Sequence, residues 1–259
     1  MGITHETDEV VPLELHVRVR DLKWYTPIGW LRHAAEDMIA QPFASLFYGL
    51  AFVMMGVGLV QLTLNAPQHI ISLITGFLIA GPFVSIGVYE ISRRRETVTN
   101  VRFLPTLTAW RANISGISMF SMLLTLLVAG WMRASVVMFA LFFSDQLPSL
   151  SMMLSKEFMV AENLTFMAIY SGTALAFLYF VFAVSVISVP IMLDKDIDAL
   201  GAIFASVKVV RENPFCMLTW AMLIVVMIGA GFAIGGYGLI LTAPLIGHGT
   251  WHAYRALIE

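Results

Sequence analysis

The sequence predicts an all-α protein that crosses a membrane six times. Apolar residues make up 59% of the 259 residues and charged residues only 12%, whereas soluble domains carry about a quarter charged residues. Several apolar stretches reach the roughly 20 residues that a helix needs to cross a hydrocarbon core about 30 Å thick. Basic residues also collect in alternate loops, as in polytopic membrane proteins. We expect three helical hairpins, with two further helices in the cytoplasmic interface.

Residues 1–27 are polar and are expected to form a cytoplasmic arm ahead of a membrane domain at residues 28–259. The arm lacks the apolar core and cleavage site of a signal peptide. Residues 13–20, LELHVRVR, alternate apolar and polar side chains, which predicts a short strand or an extended segment. Because a lone strand needs a partner, we expect this segment to dock onto another surface.

Six stretches have the length and composition of transmembrane helices. The third contains Arg133 and is long enough to tilt, to extend past the bilayer, or to break near the sequence AGWMR. The predicted spans lie at about residues 43–64, 70–92, 114–143, 166–192, 214–233 and 236–254.

Thirteen of the fifteen Lys and Arg residues fall on one side of these spans, whereas Lys156 is alone on the other side and Arg133 lies within a span. Loops rich in Lys and Arg stay in the cytoplasm. Both termini are therefore predicted to be cytoplasmic, in a bacterial inner membrane. The thirteen residues are Arg18, Arg20, Lys23, Arg32, Arg93, Arg94, Arg95, Arg102, Arg111, Lys195, Lys208, Arg211 and Arg255.

Two shorter segments, GWLRHAAEDMIAQ and IDALGAIFASVKVVRE, are amphipathic. They are expected to lie in the cytoplasmic interface with the apolar face inward. In the first, the expected apolar face is Leu31, Ala34, Ala35, Met38 and Ile39, with Arg32, His33, Glu36 and Asp37 opposite. In the second, it is Ile197, Leu200, Ile203, Phe204, Val207 and Val210.

Each amphipathic segment leads into the same signal, QPFASLFY at residues 41–48 and NPFCMLTW at residues 213–220. Proline disfavours helix in the preceding residue but is tolerated in a first helical turn, so it is expected to turn a surface helix into a membrane helix. The partner helices also match, and we predict a parallel repeat with copies at about 28–95 and 197–259. The matched pairs are Pro82/Pro244, Gly87/Gly249, Tyr89/Trp251, Glu90/His252 and Arg93/Arg255.

Three motifs, NPF, SVISVPIMLDKDIDA and PLIGHGTWHAYR, resemble those of an uncharacterised bacterial integral-membrane family, domain of unknown function 2189. The resemblance runs from about residue 28 to the end of the chain. It implies a helical membrane fold and no particular activity.

His248 and His252 lie four residues apart, which places both rings on one face of a helix. Three interpretations stay open: a packing face with polar tips at the interface, ligation of a metal or haem, and a role with protons or lipid headgroups. Two ligands are too few for a metal site, and the first alternative is favoured. The repeat counterparts are Ile86 and Glu90, so the histidine pair belongs to one copy only.

Arg133 is the most unusual charge, since a charge within a span signals a partner or a pathway. The alternative is that it reaches the outer surface from a tilted helix. Glu90 is predicted to pair with Arg94 four residues later, and Arg93, Arg94 and Arg95 are predicted to contact anionic lipid headgroups.

No nucleotide-binding, catalytic-triad or zinc-hydrolase motif is present in the sequence, and polar groups within the predicted spans are not expected to converge. Neither enzymatic activity nor a cofactor is therefore expected, while a bound lipid is compatible with the sequence. The expected partners are membrane lipids and other integral membrane proteins, not nucleic acid. A non-catalytic accessory, scaffold or assembly subunit of a respiratory or photosynthetic complex is favoured. The alternative is a small-solute or ion transporter or channel, which requires polar residues from both repeat copies at one site near the middle of the membrane.

Overall fold

The computed structural model describes residues 17–65, 70–98, 101–143 and 161–259. These residues form nine α-helices and a 3-10 helix at Leu104–Asn113, so the all-α prediction is confirmed. The α-helices are α1 (Thr26–Ala40), α2 (Pro42–Asn65), α3 (Ile70–Arg95), α4 (Ile114–Phe142), α5 (Ala161–Ser185), α6 (Ser188–Asp194), α7 (Ala199–Glu212), α8 (Pro214–Ala233) and α9 (Leu239–Leu257).

Within these ranges, three helical stretches are long and apolar enough to cross a membrane: Leu104–Phe142, Asn163–Asp194 and Pro214–Ala233. A fourth is added if α1 and the first part of α2, which meet at 106°, form one span. The prediction of six spans is therefore not confirmed. The sixth predicted span corresponds to α9, whose second half carries buried polar side chains, including His248 and Thr250.

The α1–α2 and α7–α8 junctions turn at the residue before a proline, as the shared motif predicts. Gln41 has φ −131° and ψ 58°, and Asn213 has φ −123° and ψ 54°. The backbone N–H of each still donates to the carbonyl four residues earlier, in Asp37 and Val209 respectively. The two junctions thus have nearly the same local backbone.

Two predicted spans differ in their continuity. α4 runs unbroken from Ile114 to Phe142 through AGWMR, which answers the question that the third span raised. The fourth span instead breaks between α5 and α6, where Ile187 leaves the helical conformation. Pro190 explains the break, because its ring clashes with the carbonyl of the residue four positions earlier and it has no N–H to donate.

α9 lies at the centre of the molecule and contacts α1, α2, α3 and α8. Two glycines permit the close approach of the paired helices: a Cβ at Gly87 would collide with the ring of Tyr48, and one at Gly249 with the ring of Trp220. Tyr48 and Trp220 occupy matching positions in QPFASLFY and NPFCMLTW. The same glycine-on-aromatic contact therefore joins α2 to α3 and α8 to α9.

The inward faces of the two amphipathic helices differ from the prediction. In α1, Trp30, Ala34 and Asp37 are buried while Ile39 is 78% exposed. The reason is that α1 packs against α9, and the Asp37 carboxylate accepts hydrogen bonds from side chains on α3 and α9. In α7, small residues such as Ala202 and Ala205 face the protein, whereas Leu200 and Phe204 are half exposed. Ile197 and Val210 are buried as predicted.

The extended segment was expected to dock onto another surface, and its described residues dock onto the last residues of the same chain. Val19 forms an antiparallel bridge with Ile258, and Arg20 forms an ion pair with Glu259 at 3.1 Å. The side chain of Asn213 accepts a hydrogen bond from Leu22 N and donates one to Arg20 O. Residues 13–16 lie outside the described ranges.

Candidate functional site

Six polar side chains meet where α1, α2, α3 and α9 converge, and we call this group the Asp37 cluster. The sequence analysis expected no convergence of polar groups, and the structure contradicts that expectation. The members come from four helices and from both predicted repeat copies. They are Asp37 on α1, Ser45 on α2, Ser92 and Arg95 on α3, and His248 and His252 on α9.

Asp37 accepts hydrogen bonds from three side chains. Ser92 Oγ donates to Asp37 Oδ2 at 2.5 Å, His252 Nε2 to the same oxygen at 2.8 Å, and Arg95 Nη1 to Oδ1 at 2.6 Å. Burial raises the pKa of the Asp37 carboxyl, but the hydrogen bonds from His252 and Ser92 and the nearby charges lower it by more, so its pKa lies below the ordinary value. Asp37 is therefore a buried carboxylate at neutral pH.

His248 is fully buried, and both of its ring nitrogens contact serine hydroxyls. Nε2 lies 2.9 Å from Ser45 Oγ and Nδ1 lies 2.7 Å from Ser92 Oγ. His252 is partly exposed and binds Asp37. The prediction that both rings share one face is confirmed, and that face is turned toward α1 and α3.

No group of three or more His, Cys, Asp or Glu side chains within the described part of the chain is arranged to hold a metal ion. Both nitrogens of His248 are engaged by serines, and Asp37 is engaged by three donors. The side chains of the cluster thus bind each other, and the resulting hydrogen-bonded network joins α1 to α2, α3 and α9.

Glu90 lies on α3 next to the cluster and forms a second buried ionic group. Its side chain is only 1% exposed. It accepts hydrogen bonds from Arg93 Nε at 2.7 Å and from Arg94 Nε at 2.5 Å, so the predicted Glu90–Arg94 pair is confirmed. The hydrogen bond with Glu90 raises the pKa of the Arg93 guanidinium.

The three consecutive arginines of α3 are thus divided between two carboxylates. Arg93 and Arg94 bind Glu90, while Arg95 binds Asp37. All three keep part of their surface, with 38%, 38% and 24% of the respective side chains exposed. Contact with lipid headgroups stays a prediction.

Arg133 lies on α4, away from the Asp37 cluster, and is exposed. It is 19 residues beyond the first residue of α4, a distance of about 28 Å at 1.5 Å per residue. This approaches the full thickness of a hydrocarbon core and favours a position near the far surface. The side chains of Asp145 and Glu162, two acidic residues on the same predicted outer side, lie outside the part of the chain that the structure describes.

A cavity of about 870 Å³ that is open to the molecular surface lies next to the cluster. It lies between the α2–α3 pair and the α8–α9 pair, and its lining is mostly apolar. Gly247, the residue before His248, forms part of the wall. Representative lining residues are Phe52 and Gly56 on α2, Tyr89 on α3, Phe232 on α8, and Ala243 and Gly247 on α9.

Sequence reasoning found His248, His252 and the arginines but missed Asp37, Ser45 and Ser92 as site residues. The only signal for Asp37 was its place in a charged helical face, which indicates solvent exposure as readily as burial. The serines lie in apolar helices, where single hydroxyls leave no periodic pattern.

The family comparison bears on the central part of the chain. Residues 70–194 match the model of a family described as predicted integral membrane protein, domain of unknown function 2189. The family resemblance is confirmed. The matched segment includes α3 with Glu90 and Ser92, α4 with Arg133, and the start of the SVISVPIMLDKDIDA motif; NPF and PLIGHGTWHAYR lie outside it. Integral membrane proteins contact lipid, so lipid is a partner of this chain.

No curated protein and no solved structure matches the chain.

Proposed function

We propose that the protein is a carrier for a small lipophilic solute, which occupies the cavity between the α2–α3 and α8–α9 pairs. The observation that carries this proposal is the position of that cavity, between helices from the two predicted repeat copies. In transporters built from repeats, the solute site lies at the interface of the repeats. A volume of about 870 Å³ falls within the range of small-molecule sites.

The parallel repeat itself is part of the proposal. Gln41 and Asn213 turn the chain with nearly equal backbone angles, and Gly87 and Gly249 receive the aromatic rings of Tyr48 and Trp220. These local matches support two copies of one hairpin unit. The pairing of residues 18–20 with 257–259 supports both termini on one side, which we assign to the cytoplasm of a bacterial inner membrane.

Two observations bear on the choice between a carrier and an accessory subunit. The Asp37 cluster joins Asp37, Ser45 and Ser92 from the first copy to His248 and His252 from the second. These side chains lie next to the cavity rather than in its lining. Val19 and Arg20 of the N-terminal arm pair with Ile258 and Glu259 of the same chain, so this part of the arm does not require a second protein as a partner.

Gly56 permits a direct test, because it lines the cavity and a Cβ added there meets no atom within 4 Å. Gly56→Leu should fill part of the cavity without disturbing the helix packing. A ligand that binds only the folded state raises its unfolding temperature. We expect bacterial lipid extract, added to delipidated protein, to raise the Tm of the wild type by several degrees and that of Gly56→Leu by much less.

Gly58→Leu is the matched control, since Gly58 lies on the same helix, also meets no atom within 4 Å, and is not among the lining residues. It should retain the wild-type response to the extract. An equal Tm increase in all three proteins contradicts a solute site in the cavity.

An accessory subunit remains the second candidate, and one observation favours it. Arg133, Val137 and Leu141 follow each other at helical spacing on α4, and all three are exposed. A single cation on an apolar face is complementary to a partner membrane helix that carries a carboxylate. If this candidate is right, native gels in mild detergent will show a complex larger than any homo-oligomer, and Arg133→Gln will reduce its amount.

A further inference from the structure

His248 occupies the middle of a chain of four hydrogen bonds that includes two serine hydroxyls. On one side, Nε2 contacts Ser45 Oγ at 2.9 Å, and Ser45 Oγ donates to the carbonyl oxygen of Gln41 at 2.9 Å. On the other side, Nδ1 contacts Ser92 Oγ at 2.7 Å, and Ser92 Oγ donates to Asp37 Oδ2 at 2.5 Å. The side chains of Ser45, Ser92, His248 and Asp37 are all buried.

The number of N–H and O–H donors decides in which charge state of His248 all four hydrogen bonds can form. A serine hydroxyl has one proton to donate. If Ser45 gives its proton to Gln41 O and Ser92 gives its proton to Asp37, both hydroxyl oxygens can only accept from the ring. A neutral imidazole has one N–H and an imidazolium has two. The four hydrogen bonds therefore form together only when His248 carries an additional proton.

We propose that His248 is a reversible proton-binding site whose protonated form holds α1 against α2, α3 and α9. Hydronium in the surrounding water supplies the proton and becomes water, and the proton adds to the ring nitrogen that carries no hydrogen in the neutral imidazole. In the neutral form, one serine must turn its hydroxyl toward the ring, so that either the Gln41 carbonyl or the Asp37 carboxylate loses a donor. The proton thus completes the network rather than adding a separate contact.

Some of the charged groups around His248 favour binding of this proton and others oppose it. Asp37 on α1, whose Oδ2 lies 3.8 Å from Nδ1, attracts it, while Arg95 on α3 and His252 on α9 repel it; α2 contributes only the hydroxyl of Ser45. Complete burial also favours the neutral ring. Burial, Arg95 and His252 therefore favour the neutral ring, whereas the hydrogen-bond requirement and the attraction of Asp37 favour the imidazolium.

A route for protons leads from the protein surface to the ring. His252 has 21% of its side chain exposed and binds Asp37 Oδ2 at 2.8 Å. The exposed ring of His33 lies beside it, with 5.4 Å between the ring centroids and the two planes tilted by 44°. Asp37 is joined to His248 through Ser92. The sequence His252, Asp37, Ser92, His248 is therefore a continuous hydrogen-bonded path between water and a buried base.

This inference goes beyond the proposed carrier, because it assigns a proton to the site whether or not a solute binds the cavity. The site nevertheless borders the cavity, since Gly247 lines its wall. A change in the charge of His248 would alter the electrostatic environment of whatever the cavity holds.

Nitrogen NMR of the full-length protein in nanodiscs, with all six histidines labelled with ¹⁵N, tests the proposal. The His248 signal is identified by its loss in His248→Gln. We expect this signal to change reversibly between the imidazolium and the neutral form between pH 4 and pH 8. Removing the acceptor with Ser92→Ala should move the transition to lower pH, since the protonated ring loses a hydrogen bond.

Ser121→Ala provides the matched control, because Ser121 is equally buried but donates only to the Ile117 carbonyl within its own helix. It should leave the His248 transition unchanged. A His248 ring that keeps one charge state over the whole range, or a transition that Ser92→Ala does not move, overturns the proposal.

Discussion

At the scale of single residues, Asp37 determines how α1 sits on the molecule. The sequence places it on the polar face of an amphipathic helix, but three side chains from α3 and α9 donate to it, and it is buried. Burying a carboxylate is costly unless donors and a counter-charge compensate. Arg95, Ser92 and His252 supply that compensation, so the polar residue turns inward and Ile39 turns outward.

Replacing Asp37 with Asn should destabilise the protein by about 3 kcal/mol, because removing one partner leaves the other charge of a buried pair uncompensated. The change keeps the shape of the side chain but removes the negative charge that Arg95 and His252 bind. Thermal or denaturant unfolding in detergent measures the effect. Glu36→Gln, at the exposed neighbouring position, should change the free energy of unfolding by at most about 0.5 kcal/mol, and equal effects of the two substitutions would show that Asp37 does not hold α1.

The sequence predicted part of this site and could not have predicted the rest. The spacing of His248 and His252 fixes their common face by helix geometry alone. Their partners Ser45, Ser92 and Asp37 lie 203, 156 and 215 residues away in the respective hydrogen bonds. Such contacts depend on which helices become neighbours, and isolated polar residues carry no information about that.

At the scale of secondary-structure elements, prolines and glycines set the path of the chain. Prolines 42 and 214 start α2 and α8 at sharp turns, as the motif predicted. Pro190 breaks the fourth span into α5 and α6, whereas the sequence analysis predicted one continuous span at residues 166–192. Apolar composition predicts how long a stretch is, but it contains little information on where a helix breaks within it.

The contact between Gly249 and Trp220 should tolerate no additional carbon. In Gly249→Ala the new Cβ would collide with the indole ring of Trp220, and overpacking of this kind costs about 1–3 kcal/mol. The unfolding temperature in detergent should fall accordingly. Gly130→Ala, where a Cβ meets no atom within 4 Å, should not lower it.

Combining Gly249→Ala with Trp220→Phe gives a stricter test of the same contact. The smaller ring removes the atoms with which the Cβ collides, so the double variant should be more stable than the sum of the two single changes predicts. If the changes in stability of the two single variants simply add in the double variant, Gly249 is not required for the contact with Trp220.

At the scale of the whole molecule, α9 organises the fold. It packs against α1, α2, α3 and α8, and the residues that follow it hold the N-terminal arm. Its polar second half explains why it does not qualify as a membrane span by composition, although sequence analysis counted it as one. The polar residues face other helices rather than lipid, and a hydropathy average does not distinguish these two environments.

The cavity lies between the two helix pairs that α9 brings together, and the carrier proposal depends on its being occupied. Native mass spectrometry of the intact protein, released from nanodiscs made with bacterial lipids, measures that occupancy most directly. The proposal predicts one lipophilic molecule of discrete mass on the wild type and on Gly58→Leu, and its loss from Gly56→Leu. Equal retention by all three proteins, or the absence of any bound molecule of discrete mass on the wild type, would contradict it.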